Sequence, residues 1–148
     1  MDAQELRSDC PINHVVETIG DKWSLLVIRD IAIFGKTSYG EFLASDEKIA
    51  TNVLSNRLAM LEANDVLNKK QNPANKTKYI YSLTPSGLEL IPLLIDMLVW
   101  SHKRWPIQDE PDASLAKMAL EHRQELITAI ETHLQSGNTM PFVQTLIQ

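Results

Sequence analysis

Apolar and polar positions along residues 49–64 separate onto two faces at helical period. Leu54, Leu58 and Leu61 follow a four-then-three spacing that stacks them on one stripe. Thr51, Asn52, Ser55 and Asn56 hold the opposite side at the start of the segment, short uncharged side chains that donate and accept hydrogen bonds. Amides pair with adenine and hydroxyls with several bases, so such a face suits a DNA major groove; it suits a solvated surface helix equally well. Thr51 is the expected N-cap, because Ala50 offers no side-chain acceptor.

Upstream, Pro11 fits the first position of a helix over residues 11–19, with Ile12, Val15, Val16 and Ile19 inward and Gly20 as its stop. Asp21 caps a second helix, residues 22–34, which is apolar on most sides through Trp23, Leu25, Leu26, Val27, Ile28 and Ile31 and therefore central. Gly35 closes it. A short third helix buries Tyr39, Phe42 and Leu43, and the polar residues 45–48 turn the chain into the two-faced helix. Connections this short fit a helix-turn-helix unit.

Downstream, residues 66–71 and 78–83 read as strands, the second favoured by Tyr79, Ile80 and Tyr81, with residues 72–77 as the turn. A hairpin directly after a recognition-type helix is a wing. Lys76 and Lys78, on or near its tip, are then either positioning charges for a sugar-phosphate backbone or solubilising surface lysines. Thr84 and Pro85 open a long helix to about Trp105, kinked at Pro92 and apolar nearly all round, including Leu94, Leu98 and Trp100. So much apolar surface needs cover on more than one side, and a second subunit is the expected cover for the side the domain leaves open. Residues 106–111 form a linker. A further helix follows from Asp112 or Ser114, carrying Leu115, Met118, His122, Leu126, Ile130 and Leu134 and stopped by Gly137; an apolar patch, Phe142, Val143, Leu146 and Ile147, comes after it.

The chain of 148 residues is 44% apolar and 22% charged, in keeping with one domain plus an appended element. A net charge of −5 argues against a nucleic-acid partner until its distribution is considered. Lys48, Arg57, Lys69, Lys70, Lys76 and Lys78 against Glu62 and Asp65 leave a local +4 over residues 48–78, whereas residues 106–148 carry −4. The single cysteine excludes an internal disulfide, and His14, His102, His122 and His133 show no ligand spacing, so neither a metal nor a cofactor is expected. No glycine-rich phosphate loop, nucleophile with a base motif or carboxylate pair points to an enzyme. The polar, acidic start and the short apolar stretch 88–100, interrupted by Glu89, Pro92 and Asp96, predict a cytoplasmic protein without a membrane partner.

Cys10 and Pro11, the run from Ile19 to Asp30, Tyr39 to Phe42, Ile49 to Leu58 and Tyr79 to Gly87 occur in order, and together they resemble the HxlR family of bacterial transcriptional regulators over roughly residues 8–105. The resemblance implies a mainly α winged helix-turn-helix fold with a small β-hairpin. It also implies a homodimer built by the first and last helices and binding to a palindromic operator of double-stranded DNA near a promoter. Residues 1–105 would form that domain with its dimerisation helices, and residues 106–148 an acidic helical extension beyond the usual family length. Thr51, Asn52, Ser55 and Asn56 carry over as the base-reading and backbone-contacting face. Arg57 carries over either to DNA contact or to bracing the helix, and Ile12, Leu94, Leu98 and Trp100 are the expected dimer contacts. Family wings tend to carry Pro-Pro-Arg; here Pro73, Ala74, Asn75 and Lys76 stand there, keeping the charge without the planar fork of arginine.

Some members of the family are thiol switches through a cysteine at the position of Cys10. A helix start favours an anion and Asp9 opposes it, so Cys10 is either an oxidant or electrophile sensor or a small packing side chain. The leading expectation is a dimeric DNA-binding repressor. Its alternative is a winged-helix assembly module without specific DNA binding, and no feature of the sequence identifies a small-molecule effector.

Overall fold

The computed structural model describes residues 5–147. In chain order the elements are α1 (Pro11–Ile19), α2 (Ser24–Ala32), α3 (Tyr39–Leu43), α4 (Thr51–Ala63), β1 (Leu67–Asn72), β2 (Asn75–Leu83), α5 (Pro85–Leu88), α6 (Ile91–His102), α7 (Asp112–Glu121), α8 (Arg123–Gln135) and α9 (Phe142–Thr145). The architecture is a winged helix-turn-helix with a helical C-terminal extension packed onto it.

Local sequence explains the boundaries of the first helices. Asp21 Oδ1 accepts from the backbone amides of Trp23 at 2.8 Å and Ser24 at 2.9 Å, so this side chain satisfies the start of α2. Gly35 takes φ +68° beyond its end. Ser38 and Glu41 form a reciprocal capping box on α3. A first core joins Ile19, Val27, Ile28, Ile31 and Phe42 to Leu54, Leu58 and Leu61, and reaches the wing through Val66, Leu67 and Tyr81. The leucine stripe of α4 therefore faces inward, and the opposite side of the helix stays open.

The start of α4 departs from expectation. Ala50, not Thr51, is the N-cap, and no side chain caps it. Lys48 takes φ +56°, Ile49 drops into the core, and the extended boundary falls on Ala50 with Thr51 already helical.

The expected long helix is two helices. Pro92 has no amide hydrogen and its ring excludes the carbonyl four residues back, so α5 ends at Leu88 and α6 begins at Ile91, with Pro92 in its first turn. Thr84 caps α5, its hydroxyl accepting from the Gly87 amide at 2.9 Å. The expected helix from Asp112 to Gly137 is likewise broken, at His122, where φ −138° and ψ 47° end α7 before α8 starts.

The hairpin is tighter than predicted: β2 starts at Asn75, so Lys76 lies in the strand beside the turn instead of within it, and Lys78 lies in β2 as expected. Asn72 Oδ1 accepts from the Ala74 amide and Asn75 Oδ1 from the Thr77 amide, so these side chains close the turn at Pro73 and Ala74. The register runs from Leu67 opposite Leu83 to Gln71 opposite Tyr79, then shifts, with Asn72 opposite Asn75.

Two burial expectations change. In α1 only Ile19 is buried, while Ile12 is 74% exposed and Val15 and Val16 are also open, because α1 meets the first core only at its C-terminal end. The second side of α6 is covered by the chain's own extension. Ile91 and Ile95 share a second core with Ala32 at the end of α2, with Ile33 just beyond it, and with Leu115, Leu126, Ile130, Phe142 and Val143. The Val143 amide donates to the Ile33 carbonyl at 3.1 Å, and the Arg123 guanidinium grips Asp96 of α6 with two bonds of 2.6 and 2.9 Å.

Candidate nucleic-acid interface

Thr51, Asn52, Ser55 and Asn56 are all exposed and share the start of α4. Because no side chain caps this helix, the amides of its first turn are left to solvent or to an anion, for which a helix N-terminus is a ready site. Tyr39 orients that turn: its hydroxyl donates to the Thr51 carbonyl at 3.0 Å and accepts from the Ser55 hydroxyl at 3.5 Å. Tyr39, expected from its spacing to be buried, is only partly so: its ring packs on the first core while its oxygen holds α3 against α4.

A charged network sets the turn between these helices. Asp30 is 2% exposed and accepts from Arg29 Nη2 at 2.7 Å through one oxygen, and from the Ser45 hydroxyl and Lys36 Nζ through the other. Arg29 Nη2 also donates to Glu47 at 3.1 Å. That hydrogen-bonded guanidinium holds the Glu47 carboxyl down at about 2. Arg57 turns away from the polar face: it is 27% exposed, with Nε 3.4 Å from Asp21 Oδ1. Burial pushes Asp21 up, but the Ser24 hydroxyl, the Trp23 and Ser24 amides and the Arg57 charge outweigh it and hold its carboxyl below the ordinary value.

On the wing, Lys69, Lys70, Lys76 and Lys78 are exposed, and Lys69 Nζ lies 4.2 Å from the centre of the Tyr79 ring. In the sequence Lys69 and Lys70 stand out only in the local charge balance; alternation along β1 places them on opposite faces of the hairpin.

The remaining predicted residues lie elsewhere. Cys10 is exposed at the N-cap of α1, next to the open Ile12. Leu94 and Leu98 are half-buried against the extension, and the large apolar residues α6 turns outward are Leu93, Met97 and Trp100. Among the described residues there is no cluster of three or more His, Cys, Asp or Glu suited to a metal ion, and no helix is long and apolar enough to cross a membrane.

Residues 18–109 match the family model described as HxlR-like helix-turn-helix. An HTH-type transcriptional regulator of Synechocystis is 36% identical over 109 residues, covering 72% of this chain and 77% of that protein. The HTH-type transcriptional regulator YdeP of Bacillus subtilis is 31% identical over 94 residues, 64% of this chain and 73% of that one. A mycobacterial HTH-type regulator, from Mycobacterium bovis, is 27% identical, with 65% of its own length covered. Among solved structures, the redox regulator HypR in its oxidized form has a TM-score of 0.58 at 28% identity, covering 68% of this chain and 99% of that one.

Proposed function

The chain belongs to the HxlR-like helix-turn-helix family of transcriptional regulators, which are not enzymes, and we propose that it acts as a homodimer that represses transcription from a palindromic operator near a promoter. The observation that carries this reading is the exposed, uncharged face of Thr51, Asn52, Ser55 and Asn56 beside the uncapped start of α4. The free amides receive a phosphate, which seats the helix, and the amide and hydroxyl side chains read base edges in the major groove. Lys76 and Lys78 on the wing hold the flanking backbone as positioning charges, with Lys69 and Lys70 adding to the field. Arg57 takes the bracing role, since it is paired with Asp21.

Dimerisation is supported by the apolar surface the single chain leaves open: Ile12, Val15 and Val16 on α1, and Leu93, Met97 and Trp100 on α6. Leu94 and Leu98 back the α6 face from the side of the extension. Pairing through these helices sets the two copies of α4 roughly 34–36 Å apart, one DNA turn. A dimer seated across a promoter excludes polymerase by occupancy.

Cys10 supplies the signal in this reading. It is exposed, and it starts the helix whose apolar face pairs. With one cysteine per chain, an oxidant takes one electron and one proton from each of two thiols, and a disulfide joins Cys10 of the two subunits. The similar HypR is a redox regulator.

The test is selection of bound sequences from a random duplex pool at physiological salt, first reduced and then with a mild oxidant. An inverted repeat with half-sites one turn apart, lost on oxidation in wild type but kept in Cys10→Ser, is the expected result. No enriched sequence in either state would replace this reading with that of an assembly module.

A further inference from the structure

Between the winged-helix core and the C-terminal extension lies a cavity of about 530 Å³, a size typical of small-molecule sites. Its walls come from the end of α2, the start of α3, the base of β2, Leu88 of α5, and the segment 133–142 that ends α8 and leads into α9. Leu83, Leu134 and Phe142 provide apolar wall. His133 Nε2 meets the Met140 carbonyl at 2.7 Å, and Gly137, at φ +71°, turns the chain that roofs the space.

The electrostatics of the lining are one-sided. Glu41 contributes the carboxylate, and no lysine or arginine lines the cavity among the described residues. The amides of Thr37 and Ser38 donate to Glu41 Oε2 at 2.6 and 3.3 Å, so the carboxylate is held in place with its other oxygen available. An anion entering here meets no cation, whereas a protonated amine meets a fixed carboxylate with apolar wall beyond it.

We infer that this cavity is an effector site for a small aromatic amine, its ammonium on Glu41 and its ring between Leu83, Leu134 and Phe142. This deepens, and rests on, the regulator reading. The Thr37 carbonyl accepts from the Tyr81 amide at 2.8 Å, so the wall that holds Glu41 also ties the lead-in of α3 to the wing. A ligand here touches the helix-turn-helix, the wing and the extension together, and its binding alters operator affinity, with DNA altering ligand affinity by the same factor.

The experiment is calorimetric titration of the reduced full chain, without DNA, using 2-phenylethylamine, 2-phenylethanol and 3-phenylpropionate at constant ionic strength. The amine saturates one site per chain about tenfold more tightly than the alcohol, and the propionate does not bind. Glu41→Gln, which keeps the capping box, removes the amine's advantage and leaves the alcohol unchanged. Leu134→Trp fills the cavity and abolishes binding; Thr139→Trp, at an exposed roof position, serves if that variant fails to fold by circular dichroism. Equal affinity for all three probes, or amine binding indifferent to these variants, overturns the site. Operator affinity measured with and without the amine shifts about fivefold or more; an amine that binds and leaves it unchanged overturns the regulatory role. Because the titration contains no DNA, failure of the site is distinct from failure of operator reading.

Discussion

Arg57 Nε lies 3.4 Å from Asp21 Oδ1, so the helix with the exposed polar face is tied to the side chain that holds the amides leading into α2. The pair is partly buried, and Arg57 Nε has no hydrogen-bond partner closer than this contact. Arg57→Ala is expected to lower stability by about 1 kcal/mol while the selected DNA sequence stays the same. Urea unfolding together with repeat selection checks this; a changed consensus at unchanged stability would instead put Arg57 on the DNA.

Asn52 and Lys76 should fail in different ways. Asn52→Ala is expected to relax sequence preference by about 1–3 kcal/mol at one base position. Lys76→Ala should weaken operator and random duplex alike and reduce the salt slope by about one unit. Affinities on both duplexes across a salt series separate the two, and equal losses for Asn52→Ala would remove its base-reading role.

The Glu47 carboxyl is depressed from the ordinary 4.5 to about 2, chiefly by its hydrogen bond from Arg29. A carboxyl with the lower value in the folded state adds stability that is complete above 4.5 and is lost as pH falls toward 2. In Glu47→Gln, stability is therefore expected to fall less steeply than in wild type across that window. Urea midpoints measured at several pH values in both proteins provide the comparison; parallel curves would mean the pair contributes nothing.

Met97→Glu places a charge in the outward apolar face of α6. If that face pairs two subunits, sedimentation equilibrium should show a monomer at concentrations where wild type is a dimer, with circular dichroism unchanged. A dimer in the variant would assign pairing to another surface.

A β-carbon at Gly87 would lie 2.3 Å from the Val66 carbonyl oxygen. Gly87→Ala is expected to destabilise by about 1–3 kcal/mol, because backbone and not a flexible side chain must move. Thermal unfolding measures the loss, and wild-type stability in the variant would show that α5 can shift freely against the hairpin.

What was legible in the sequence was local. Leu54, Leu58 and Leu61 announce a buried stripe by spacing alone, and Thr84 announces a cap because its acceptor reaches an amide within a few residues; Asp21 does bond the Trp23 and Ser24 amides, but α2 starts at Ser24 with Trp23 as its N-cap. Pro92 marked an interruption, but whether a proline kinks a helix or separates two depends on how the surrounding cores pull the segments. A helix apolar nearly all round carries no phase, so Leu94 and Leu98 could not be told from Leu93 and Met97 before the extension was seen to cover the former. The apolar face of α1 was readable as apolar, but no spacing says whether such a face meets its own chain. Lys76 alone passed from the expected turn into β2, where the side-chain bonds of Asn72 and Asn75 tighten the turn at the scale of single atoms.

The bond from the Val143 amide to the Ile33 carbonyl bears on how the protein is made. Synthesis proceeds at about 5–20 residues per second and early segments fold first. The first core is complete in sequence once Tyr81 has emerged, but Ala32, Ile33, Ile91 and Ile95 must wait for Phe142 and Val143. During that interval the nascent chain presents a greasy surface to the ribosome exit and to chaperones, and a premature stop after α6 would leave it permanently uncovered.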